Sequence, residues 1–136
     1  MNSLVTRLIF IIALCLSEPA FAHHSFAMFD QKKSVTLKGT VREFQWTNPH
    51  AFIHIEVPNG SGGTALWQVE LNSPNNLKRQ GWKSTSLKAG DVVTLVANPL
   101  RDGSKGGLFV CVTRPDGTVL GDPTRATGGP INVPKI

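Results

Sequence analysis

The sequence is poor in cysteine, with two in 136 residues, at Cys15 and Cys111. Cys15 falls in a segment expected to be removed, so Cys111 stands alone and no internal disulfide can staple the fold. No apolar run is long enough to span a bilayer, which takes about 20 residues. The run Leu8–Leu16 is closed too early by Glu18 and Pro19. Runs of lysine or arginine are missing as well: the net charge is +5, but the basic residues are scattered. That pattern suits a solvated surface and argues against nucleic acid as a partner. Outside the cytoplasm the same excess would draw anionic lipid, polysaccharide or small anions. There is no internal repeat. No catalytic constellation is present either: there is no Gly-x-Ser-x-Gly, no phosphate loop, and no Ser/His/Asp set with supporting context. Gly60-Ser61-Gly62-Gly63 joins two strands and precedes no helix, and Glu43, Glu56 and Glu70 have no evident partner acid. A binding protein is expected rather than an enzyme.

What is present begins with an export signal. Arg7 and the initiator amine supply positive charge, and Leu8–Leu16 is the apolar stretch. Pro19 breaks any helix, and Ala20-Phe21-Ala22 puts small residues at −3 and −1 of a cut before His23. Lipoprotein processing at Cys15 is disfavoured because Leu14 stands where a small residue is needed. Residues 1–22 are therefore expected to be a signal peptide, and the mature protein to be periplasmic or secreted and not integral to the membrane. Processing leaves roughly 114 residues, enough for one small domain with a single core.

Strand signals run from Val35 to Leu120. Val35, Leu37, Gly39 and Val41 alternate with polar neighbours, and Phe44 and Trp46 then fall out of phase. One extra residue near Arg42-Glu43 would restore the alternation, the mark of a β-bulge. Ala51–Val57 and Ala65–Leu71 flank a Pro/Gly/Asn turn. If Val57 lies opposite Ala65, His54 faces Gln68 and Phe52 faces Glu70. Ser73 as cap, Pro74 at the first helical position and Gly81 as stop define one short helix, pinned by Leu77 and Trp82. Val92–Ala97 and Leu108–Thr113 follow, and Pro115-Asp116-Gly117 turns into Val119-Leu120.

Ile53, Ile55, Val69, Leu71, Val93 and Leu95 are expected in the core, with Gln68 and Glu70 outward. Because Val92, Val93, Leu95 and Val96 do not alternate cleanly, the face of that strand stays open. Cys111 is expected to be a buried apolar thiol. Three strands, a helix, then two strands is the order of an OB-fold, so the fold class is all-β with one short helix, an OB-fold-like five-stranded barrel. The expected layout is an N-terminal arm over 23–34, the barrel over 35–120, and a disordered tail over 121–136.

All four histidines lie in the first half: His23, His24, His50 and His54. Cleavage before His23 would put a free amine beside its imidazole. The two groups titrate near ~8 and ~6.5 in model compounds, so both offer lone pairs at neutral pH. Amine and ring nitrogen on one residue form a chelate, and imidazole suits copper and zinc. A third nitrogen, from His24 or a histidine of the barrel, would complete a T-shaped copper site. On an extended strand His50 and His54 would sit about 13 Å apart, too far to share one metal. Glu70, diagonal to both, could orient an imidazole. The metal set is thus His23, His24 and His50, with Glu70 or His54 in support and copper as the cofactor. The competing reading is a metal-free OB-like module that binds polysaccharide, a lipid head group or a protein partner in the cell envelope. Trp46, Trp67 and Trp82 could form a stacking platform. Core packing accounts for Trp67 and Trp82 more simply and leaves Trp46 unexplained.

Several stretches together carry a resemblance: His23-His24-Ser25-Phe26, Trp46-Thr47-Asn48-Pro49-His50, Glu70-Leu71-Asn72-Ser73-Pro74-Asn75 with Gly81-Trp82, Leu87-Lys88-Ala89-Gly90-Asp91, and Arg101-Asp102-Gly103. From about Ala22 to Gly121 the chain resembles a family of small exported bacterial proteins described as a domain of unknown function. The resemblance implies a secreted OB-like domain and supplies no activity. The His-His pair and the Asn-Pro-His element belong to the family pattern and His54 does not, which favours His50 over His54.

Overall fold

The first strand sets the architecture. In the computed structural model, which describes residues 26–126, β1 runs Val35–Gln45. Its first half pairs antiparallel with β4 (Val92–Pro99), and its second half with β2 (Phe52–Pro58). One strand serves both sheets only by bending, and two residues permit it. At Gly39 a Cβ would run into the backbone carbonyl of Glu56, so only glycine allows this approach. At Arg42 the register shifts, with Val41 opposite Ile55 and Glu43 opposite His54. This is the bulge expected from the slipped alternation, and it returns Phe44 to the core side.

β2 pairs with β3 (Thr64–Glu70) in the expected register, Phe52 opposite Glu70 and His54 opposite Gln68. A helix, α1 (Pro74–Arg79), leads to β4, which pairs with β5 (Gly106–Thr113). β5 then runs parallel to β3 and closes the cylinder β1-β2-β3-β5-β4. A closed five-stranded barrel of this order, with a helix between the third and fourth strands, is the OB-fold. β6 (Val119–Gly121) adds to the free side of β5.

Ile53, Ile55, Val69, Leu71, Val93 and Leu95 all lie in the buried core. Each such residue stabilises the fold by roughly 1.5–3 kcal/mol relative to exposure. β4 resolves with Val93, Leu95 and Ala97 inside and Val92 in solvent. Ser73 Oγ accepts from Asn76 N–H to cap α1. Gly81, at φ 87°, ends it, with Gly81 N–H bonded to Lys78 O and Trp82 N–H to Leu77 O. That reversal drives Trp82 into the core beside Leu77.

The described part of the N-terminal arm is strapped to the barrel. Phe29 is buried and bridges to Leu100, Asp30 N–H bonds Pro99 O, and Arg101 bonds Met28 O through its N–H and Ala27 O through Nε. One expectation needs correction: a disordered tail over 121–136 does not begin at Gly121. Gly121 ends β6, and Pro123–Arg125 form a 3-10 turn capped by Asp122, because a capping Asp followed by Pro outweighs the local glycine and proline content. Residues 1–25, which include the expected signal peptide, His23 and His24, and residues 127–136 lie outside the described residues. No helix among the described residues is long and apolar enough to cross a membrane.

Candidate functional site around His50

His50 precedes β2 and is held by backbone on both sides. Thr47 Oγ1 donates to His50 O at 3.1 Å, across a turn containing the cis Asn48-Pro49 peptide. Ala51 N–H bonds Asn72 O, and Leu71 N–H bonds Ala51 O, so the β2–β3 ladder continues past its strands. The ring is thereby set against the end of β3. Its Nδ1 lies 3.0 Å from Leu71 O and 3.2 Å from Glu70 Oε1. Both neighbours only accept hydrogen bonds, so Nδ1 carries the proton. In the neutral ring the lone pair then belongs to Nε2, which has no hydrogen-bond partner among the described residues. A carboxylate and a carbonyl on one ring nitrogen, with the other left free, is how proteins prepare a metal-ligating histidine.

His54 is placed differently. It faces outward between the buried Ile53 and Ile55, and its Nε2 lies 3.0 Å from Gln45 Oε1. The ring is engaged with β1 and not brought to His50. Cys111 is buried, and burial, with the Asp122 carboxylate nearby, pushes its thiol above the ordinary range. A thiol so placed is a poor source of thiolate for a metal. Among the described residues no group of three or more His, Cys, Asp or Glu is arranged to hold a metal ion. His50 and Glu70 come together as a pair, and a mononuclear site there needs donors from elsewhere.

His50 and Glu70 open onto a cleft of about 610 Å3, within the range typical of ligand sites. Trp82 and Phe109 meet edge-to-face there at 5.3 Å, and Gln80 lies on the α1 side. Two contributions were missed in the sequence. Asp122 and Arg125 line the cleft from the segment read as tail. Hydrogen bonds from the Thr124 hydroxyl and N–H hold the Asp122 carboxyl below its usual range. Asp122-Pro123-Thr124 carries a cap-plus-proline signature that could have revealed this turn. The other missed residue is Phe26, the first one described, which lines the same cleft. The strap through Phe29 and Arg101 holds it there.

Two solved structures are similar in outline. Both are crystal structures of the mitochondrial single-stranded DNA binding protein Rim1 from S. cerevisiae. One is 12% identical with a TM-score of 0.45, covering 69% of this chain and 96% of that one. The other, selenomethionine-labelled, is 11% identical with a TM-score of 0.45, covering 61% and 93%. Among curated proteins none matches the sequence. The family of unknown function DUF6152 matches residues 12–110, through most of the barrel and up to Val110 in β5. By that match the chain belongs to the DUF6152 family.

Proposed function

We propose that this domain binds a metal ion in the cell envelope, with Cu(II) the best fit, through His50 Nε2 and the amine and ring of His23, with His24 as a further donor. The observation that carries the reading is the pairing of His50 Nδ1 with Glu70 and Leu71 O, which leaves the Nε2 lone pair for a ligand. The position of Phe26 supports it. His23 is three residues upstream, and three extended residues reach about 10 Å, so a chain starting at His23 can bring its donors to the cleft that His50 lines. Amine and imidazole nitrogens in a planar set suit Cu(II) over harder cations. Glu70 acts as the orienting partner, and His54 takes no part. Export and cleavage before His23 are part of the proposal, because only cleavage frees the amine.

The test is calorimetric titration of Cu(II) into protein starting at His23 and into protein with one extra residue before it. Tighter binding to the first supports the reading. Equal, weak binding to both, unchanged in His50→Ala, would remove it.

A further inference from the structure

The net charge of the chain is not spread evenly over its fold. Residues 71–91 hold Lys78, Arg79, Lys83 and Lys88 against one acid, Asp91, in a chain whose net charge is +5. This segment is α1 and the loop leading to β4, so one end of the barrel is positive. The half-buried Trp46 lies at the same end. It leaves β1 just past the bulge and sits edge-on to Phe44 at 5.4 Å. Phe44 in turn touches Trp82 at 5.8 Å. The turn at Gly81 reverses the chain, so that Lys78 before it and Lys83 after it line one concavity with Trp82. The result is a concavity of about 460 Å3 lined by Trp46, Lys78, Gly81, Trp82, Lys83 and Ser84. It shares Trp82 with the His50 cleft and is otherwise separate from it.

We propose that this concavity is a second binding site, for a sugar ring carrying a carboxylate. The ring's C–H face would pack on the Trp46 indole, the acid would pair with Lys78 and Lys83, and Ser84 would meet a hydroxyl. Neither ammonium group has a hydrogen bond or salt bridge among the described residues, so both are available to an incoming anion. The negative end of α1 offers little opposition, since the Leu77 and Lys78 carbonyls are taken by Trp82 and Gly81 N–H.

Three other ligand classes fit less well. A membrane surface needs protruding apolar side chains. The exposed ones, Phe26, Met28, Leu66, Val92 and Val119, all lie outside this concavity. Single-stranded nucleic acid needs successive stacking rings. Here Trp46 is half-buried and Trp82 is 3% exposed, while Trp67 lies elsewhere under Lys105. A small inorganic anion would leave the indole unused.

The test titrates the full protein with trigalacturonic acid in the presence of EDTA, so that no metal site contributes, and follows tryptophan fluorescence. The neutral trisaccharide, inorganic phosphate and phosphatidylglycerol vesicles serve as separate probes. Trigalacturonate is expected to bind in a salt-sensitive way. Lys78→Gln with Lys83→Gln, both on the exposed surface, should weaken binding about tenfold, the scale of two partly screened ion pairs. Trp46→Ala should weaken it further, and His50→Ala should leave it unchanged. The proposal is overturned if trigalacturonate does not bind or the neutral sugar binds as well. It is equally overturned if phosphate or vesicles bind in its place, or if the double lysine variant binds like the parent.

Discussion

Replacing Glu70 with glutamine keeps the side chain's length and removes its charge. In the parent, His50 Nδ1 has two acceptors, Glu70 Oε1 at 3.2 Å and Leu71 O at 3.0 Å. The second is a backbone atom and survives the substitution, so ring orientation and tautomer should persist. What disappears is the negative charge that makes the imidazole a stronger donor. Losing an outer partner of a metal ligand typically costs about 10–100-fold in affinity. With Leu71 O retained, the low end applies: about tenfold, or ~1.4 kcal/mol. His50→Ala removes a donor atom and should cost more. The assay is competition for Cu(II) against a chelator of known affinity, on protein starting at His23, with circular dichroism to confirm the fold. Parent-like affinity in Glu70→Gln would refute the orienting role. A loss as large as that of His50→Ala would refute it too, by making Glu70 a ligand itself.

Three further outcomes are expected. Gly39→Ala places a Cβ against the Glu56 backbone, where neither strand can yield without breaking pairs, and should cost about 1–3 kcal/mol. An unchanged denaturant midpoint would count against the close approach. Stability should also fall in acid: Asp102, Asp116 and Asp122 are held below the usual carboxyl value by the hydroxyls and N–H groups of Ser104, Thr118 and Thr124. A depressed folded-state value gives stability above the unfolded value of about 4, lost as pH drops through the folded one. Alanine at all three hydroxyl residues should therefore reduce the loss in thermal midpoint between about pH 7 and pH 3, and an undiminished loss would contradict this. Mass spectrometry of exported protein should show a chain beginning at His23, and a start at Ser25 or later would take away the proposed N-terminal donors.

Much of the barrel was legible because short-range rules agree there. The phase slip between Val41 and Phe44 marks the bulge, Ser73-Pro74 and Gly81 bracket the helix, and the hairpin places Phe52 opposite Glu70. β4 resisted because Val92, Val93, Leu95 and Val96 give no clean period. Its inner face is set by pairing with both β1 and β5. The site was half legible. His50 and Glu70 could be named from register, but Leu71 O, the second acceptor on Nδ1, is a backbone atom that no side-chain motif flags. The rest of the cleft depends on distant contacts. Phe26 arrives because Arg101 holds the arm, and Asp122 because β6 pairs with β5.

The central claim, a copper ion held by His50 and the His23 amine and ring, is tested most directly by electron paramagnetic resonance. The sample is protein starting at His23 with one equivalent of Cu(II). The account predicts hyperfine coupling to nitrogen donors that include an imidazole lost in His50→Ala and an amine lost when one residue precedes His23, with His54→Ala unchanged. A spectrum identical in the parent, the extended protein and His50→Ala would contradict it.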